Sequence, residues 1–242
     1  MEAAQPRVII ERPDWRVLAK PAGWHTLAHA GGNAERTSGV DAGDAATGQG
    51  RDAGEDAAPG SLEAWLRAAH PEHASIPEAG IAHRLDQGTS GCVVAGRTAE
   101  AHARLRGEVG SSGGARKTYL ALARTGLPDD GTFRLYFSSR HKGSRKVTVR
   151  REGTGPECGR CRWHVAERAV DGAHDLVEVE VIGRGRRHQV RAGLASLGHP
   201  LRGDALYGGD ASRDAHPALH AWRVEVDGET VECPPDARFA RG

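Results

Sequence analysis

Residues 83–91 read His-Arg-Leu-Asp-Gln-Gly-Thr-Ser-Gly. Asp86 is the group there that could do chemistry, because a positioned carboxylate can act as nucleophile or as base. A surface turn would account for Gly88, Ser90 and Gly91, but it does not call for His-Arg-Leu-Asp in front of them. Gly80-Ile81-Ala82 before the run and Cys92-Val93-Val94-Ala95-Gly96 after it are suited to buried strands. A second chemical segment, Arg116-Lys117-Thr118-Tyr119, carries an ammonium and a phenol. A third spans 183–208, where Arg184, Arg186, Arg187 and Arg191 fall within eight residues with no acid among them. Guanidinium groups so close repel one another unless anions are near, and their planar forks fit phosphate. Arg191 differs from the other three. It shares a helical stretch with Val190, Leu194, Ala195 and Leu197, which points it inward. An inward Arg needs a carboxylate, and Asp86 and Asp204 are both candidates.

The elements that must hold these groups read as α+β. Residues 7–24 contain two short β-rich pieces ending in Pro21-Ala22-Gly23. Residues 61–70 start on Ser61 and space Leu62, Trp65, Leu66 and Ala69 as an amphipathic helix. The run from Cys92 is a strand, followed by a helix with Thr98 as N-cap. Strands are expected at 117–124, within 132–139 and 146–151, and as a pair covering 161–169 and 174–183. A helix follows from His188 and ends at Gly198. The chain then closes with a hairpin turning on Asp227-Gly228. Strands without regular βαβ alternation predict a mixed, mostly antiparallel sheet with flanking helices.

Residues 28–60 are dominated by Ala, Gly, Asp and Thr and hold almost no large apolar residue. Such a stretch cannot offset its ordering entropy, so it is expected to be a disordered insertion within one domain spanning 1–242. Its six acids against two Arg give it a net charge of −4 within a chain of net +1. Residues 116–151 hold ten Lys or Arg against Asp129 and Asp130, a local net of +8. Such clustering points to a polyanion partner. No apolar run is long enough for a membrane span, and the N-terminus does not read as a signal peptide. The four Cys of 242 residues are few and fit a reducing, cytoplasmic setting. Cys158 and Cys161 could form half a zinc site, but no second Cys pair exists. His83, His188 and His199 are scattered, so no metal is expected.

Taken in order, these motifs resemble the RluA-type RNA pseudouridine synthases. The matching residues are His-Arg-Leu-Asp-x-x-Thr-Ser-Gly at 83–91, Lys-x-Tyr at 117–119, Gly-Arg-x-His-Gln-Val-Arg at 185–191 and Leu-Gly-His-Pro-x-x-Gly-Asp-x-Leu-Tyr-Gly at 197–208. Lys-Pro-Ala-Gly-Trp at 20–24 and Leu-His-Ala-Trp at 219–222 match as well. The resemblance covers the chain apart from 28–60. It implies a pseudouridine synthase fold with a central cleft and Asp86 at its floor. The implied activity is isomerisation of uridine in rRNA or tRNA, without cofactor, by a monomer. Asp86 would be catalytic and Arg191 its basic partner. Tyr119 would pack on the flipped uracil, with a part in removing the C5 proton. His83, Arg84, Thr89, Arg184, Arg186, Arg187 and Gln189 would meet RNA.

The sequence departs from the family pattern at Ala192-Gly193, where many relatives have Val-His, and at Arg187, where Thr is common. Both departures are expected to alter RNA contacts. About twenty residues precede Lys20, so no S4-like RNA-binding domain is expected. Two rivals remain at this stage. A non-catalytic RNA-binding protein could keep the fold, although the intact Asp86, Tyr119 and Arg191 argue against it. A carboxylate glycosidase would want a second catalytic acid, and none stands near Asp86 in the sequence.

Overall fold

The computed structural model describes residues 4–28, 60–111, 115–139, 141, 144–212 and 214–239. Among the described residues, ten strands form one sheet. They are β1 Arg7–Glu11, β2 Trp15–Lys20, β3 Ser90–Gly96, β4 Lys117–Arg124, β5 Asp130–Ser139, β6 Val147–Arg150, β7 Cys158–Glu167, β8 His174–Ile182, β9 Leu219–Val226 and β10 Glu229–Glu232. Their order across the sheet is β1-β2-β3-β9-β4-β8-β7-β5-β6, with β10 paired to β9. The helices are α1 Leu62–Ala69, α2 Ala99–Leu105 and α3 Gln189–Ser196. Each lies within or overlaps the stretch where spacing and capping residues place a helix. Ser61 accepts from the Ala64 N–H at 3.1 Å and Thr98 from the Ala101 N–H at 3.1 Å, the N-cap bonds their side chains are suited to. The closing hairpin turns on Asp227 and Gly228 at φ 49° and 76°, as a two-residue primed turn requires.

All named strand pairs are antiparallel except β3 with β9, which run parallel through Ser90↔His220 and Gly91↔Ala221. This short contact joins two halves of the sheet just beyond Asp86. A Cβ at position 91 would lie 2.2 Å from the Ala221 carbonyl oxygen, and φ there is +114°. Only glycine lets the strands approach so closely.

The alternation along β7 shows how the larger half is built. Cys161, Trp163 and Val165 point into a core with Phe133 and Leu135 of β5, Val177, Val179 and Val181 of β8, and Val190, Ala192 and Leu194 of α3. A second core places α2 against β2, β3, β9 and β10. A third buries Leu62 and Leu66 of α1 against Leu18, Ile81 and Val93. No helix among the described residues is long and apolar enough to cross a membrane.

Nearly all of the 28–60 insertion lies outside the described residues, but its two flanks are joined. The His25 N–H donates to the Gly60 carbonyl at 3.1 Å, the Leu62 N–H to His25 at 2.8 Å and the Glu63 N–H to Thr26 at 3.1 Å. A short connection can therefore close the gap, and loop-closure entropy changes by only about 0.6 kcal/mol per doubling of length. Replacing 30–58 with a short Gly-Ser linker is expected to preserve the melting temperature and the rate of turnover. A deletion that stops turnover while melting is unchanged would place the segment in substrate selection instead.

Candidate active site

Asp86 sits in the loop between Ile81 and β3, and both of its neighbours are clamped. The Thr26 hydroxyl donates to the Leu85 carbonyl at 2.8 Å and accepts from the Leu85 N–H at 3.0 Å. The Gln87 carbonyl accepts from the Gly23 N–H at 2.9 Å and from Lys20 Nζ at 3.1 Å. Lys20 is fully buried at the end of β2 and also donates to the carbonyls of Pro21 and Trp24, at 2.9 and 2.8 Å. Burial pulls its pKa down to about 7, against the opposing charge of Asp86. Three carbonyls match the three N–H donors of an ammonium. The Lys-Pro-Ala-Gly-Trp segment is thus a brace that fixes the main chain on each side of the carboxylate.

Arg191, near the start of α3, faces two carboxylates. Its Nε and Nη2 donate to Oδ2 and Oδ1 of Asp204 at 2.7 and 2.8 Å, a bidentate pair. Asp204 is 1% exposed. The remaining Nη1 lies 3.5 Å from Oδ2 of Asp86, an ion pair. Burial alone would lower the pKa of Arg191; the bonds to Asp204 and the charges of both acids raise it above its ordinary value. The inward Arg therefore donates its hydrogen bonds to Asp204 and turns its third nitrogen toward Asp86.

His188 Nε2 is 3.8 Å from the same Asp86 oxygen, while its Nδ1 is 2.8 Å from the Tyr207 hydroxyl. Burial pushes its pKa down to about 4, with Asp86 opposing and Arg191 and Arg187 adding to the fall. The ring is neutral at neutral pH. Tyr119, on β4, lines the cavity that holds Asp86. Burial first, and then the Asp86 charge, push its phenol above the ordinary tyrosine range. Leu85, Val181, Val190 and Leu219 complete an apolar slot beside the carboxylate. A flat heterocycle could enter it, and its sugar would then meet Asp86.

A model of the RNA pseudouridylate synthase family matches residues 14–196. The chain belongs to this family. The ribosomal large subunit pseudouridine synthase D of Neisseria meningitidis serogroup A is 33% identical over 188 residues, covering 71% of this chain and 49% of that protein. An uncharacterized RNA pseudouridine synthase of Bacillus subtilis, YhcT, is 37% identical over 145 residues, covering 60% of this chain and 46% of that protein. The chain thus spans about half the length of the curated relatives it matches. The solved structure of human RNA Pseudouridylate Synthase Domain Containing 1 has the same fold, with a TM-score of 0.65 at 23% identity, covering 98% of this chain and 86% of that one.

Within this family fold, the residues singled out in the sequence divide into two groups. Asp86, Tyr119, Arg191, Arg84, Thr89 and Arg186 line one cavity. Arg184 lies outside it, in a neighbouring cleft, and Arg187 donates to the Arg145 carbonyl at 2.7 Å on the exposed rim.

Two of the residues expected at RNA are hydrogen-bonded within the protein. His83 does not line the cavity; its Nε2 accepts from the Val94 N–H at 3.1 Å, and burial lowers its pKa to about 3. It fastens the loop to β3. Gln189 lines the cavity, but its amide is already engaged. Oε1 accepts from the Arg186 N–H at 2.8 Å, and Nε2 donates to the Arg160 carbonyl at 2.9 Å and to Cys161 Sγ at 3.2 Å. It shapes the arginine loop from within.

The Ala192-Gly193 departure is likewise a matter of packing. Both residues are buried, and a Cβ at 193 would lie 2.4 Å from Cζ of Phe133. The bulky Phe133 fills the space that a side chain at 193 would need. Lys20, Thr26 and Tyr207 were not singled out from the sequence. Lys20 had a visible marker in the Lys-Pro-Ala-Gly-Trp motif, while Thr26 and Tyr207 act only through tertiary hydrogen bonds.

Proposed function

We propose that the protein is an RNA pseudouridine synthase with Asp86 as its catalytic carboxylate. The observation that carries this reading is the position of Asp86. It stands at an apolar slot with Tyr119, its main chain is braced on both sides, and it faces a guanidinium already matched by Asp204. Family membership supplies the reaction class. The bond between C1′ and N1 of uridine breaks, the uracil rotates, and C5 bonds to C1′. The proton on C5 is lost and N1 gains one, so the product is an isomer.

Asp86 acts as nucleophile at C1′ or as base at the ribose 2′ position. Arg191 faces the carboxylate in either role. The target base must leave its stack to reach the slot, where Leu85 and Tyr119 can cover it. The substrate we propose is large-subunit ribosomal RNA, in line with several relatives named ribosomal large subunit pseudouridine synthase D, and the setting we propose is the cytoplasm. The test is tritium release from RNA labelled at uracil C5, followed by mapping of pseudouridines in total RNA with and without the protein. Release at mapped sites in ribosomal RNA is expected. Absence of release from every cellular RNA would overturn the assignment.

A further inference from the structure

Beside the active cavity, Arg134 of β5, Arg160 of β7, and Arg184 and Arg186 of the loop after β8 line a second cleft. Arg186 lines both. Arg134 and Arg160 are directly opposed across the β5/β7 ladder. Like charges in that position repel and weaken a sheet. Along the rest of the outward face of β7 such charges are matched. Arg162 is opposite Glu180 of β8 and ion-paired with it. His164 is opposite Asp130 of β5, with Nδ1 2.9 Å from its carboxylate.

Only the Arg134–Arg160 rung among these three has no acid. Opposite Arg160 on its other side stands Ile182. Among the described residues, no carboxylate lines this cleft and none of its four guanidiniums is in an ion pair. Glu157, on the adjoining turn, is held by Arg150 at 3.0 Å. Burial and then the charge of Arg184 pull the pKa of Arg186 below its ordinary value, while hydrogen bonds with Cys158 and Tyr136 raise that of Arg134.

We infer that this cleft is a seat for the RNA sugar-phosphate backbone, with Arg134 and Arg160 gripping phosphates that flank the uridine in the active cavity. The partner class rests on the RNA reading above. The placement rests on the unmatched arginine rung and on Arg186, which joins the cleft to the active cavity. Phosphate oxygens accept two guanidinium bonds at once, and a bound strand would relieve the repulsion that the bare sheet carries.

The test measures binding of a fluorescein-labelled single-stranded RNA by anisotropy over a salt series, for wild type, for the double variant Arg134→Gln/Arg160→Gln, and for Arg162→Gln. Each phosphate contact contributes about 0.7 to the log–log salt slope for a single strand. The double variant is expected to lose about 1.4 of the slope and to bind about tenfold more weakly or worse at low salt. Arg162→Gln removes an equally exposed charge from the same strand and is expected to leave both quantities unchanged. Without RNA, the double variant is expected to melt no lower than wild type, which separates lost contacts from lost fold. The inference is overturned if the double variant keeps the wild-type slope, if Arg162→Gln weakens binding as much, or if wild type does not bind the RNA. Tritium release is read separately: release with an unchanged slope removes the seat and keeps the enzyme, and a changed slope without release does the reverse.

Discussion

Asp86→Asn is expected to abolish isomerisation, by at least about four orders of magnitude, while the protein stays folded and still binds RNA. Asparagine has nearly the same shape but can neither attack C1′ nor take a proton from the ribose. The structure shows why the fold should tolerate the change. Asp86 is a quarter exposed on its side chain, and its contact with Arg191 is a 3.5 Å ion pair. Removing its charge leaves Arg191 fully engaged with Asp204, so no buried cation is stranded. The cost to stability should resemble that of a partly exposed pair, about 1 kcal/mol or less. The braces from Thr26, Lys20 and Gly23 all act on the main chain of residues 85 and 87 and do not involve the side chain at 86. Tritium release, melting and RNA binding measured on the same sample check the three claims. Turnover near the wild-type rate would remove Asp86 from the chemistry.

Much of this arrangement was legible in the sequence because motif residues carry their own positions. Asp86, Tyr119 and Arg191 lie in three separate segments, yet they line one cavity, as the ordered motifs implied. Local periodicity also located the helices, the Asp227-Gly228 hairpin and most strands. What it could not give was the long-range choice among partners. Arg191 had two candidate acids, Asp86 and Asp204. The choice turned on which carboxylate the turn at 204 buries against α3. His83 and Gln189 are polar residues inside binding motifs, and their type alone suggests RNA. Their hydrogen bonds were already committed to Val94, Arg160 and Arg186, and those neighbours are brought near only by the folded sheet. The parallel contact between β3 and β9 joins residues 130 positions apart, such as Ser90 and His220. No local period reports such a pairing. Gly193 shows the same limit at the scale of one atom: its meaning depends on the ring of Phe133, sixty residues earlier.

Arg191 is expected to show that stability and activity at this site can be separated. Arg191→Ala strands the deeply buried Asp204, and breaking such a pair costs about 3–5 kcal/mol. For a chain of this size that lowers the melting temperature by roughly 6–20 °C. It also removes the charge that faces Asp86, so activity should fall with stability. Arg191→Lys restores a charge but not the fork: one ammonium cannot reproduce two bonds to Asp204 and a third contact toward Asp86. Part of the stability should return and little of the activity. The decisive variant replaces both partners, Arg191→Met with Asp204→Leu. With no buried charge left unpaired, it should melt close to wild type, since apolar groups of similar size often substitute for a buried pair without loss. Asp86 would still lack the guanidinium that faces it. Turnover should therefore stay low in the double variant. If the double variant regained stability and wild-type turnover together, Arg191 would be a purely structural residue. The link from Asp204 through Arg191 to Asp86 would then carry no part of the chemistry.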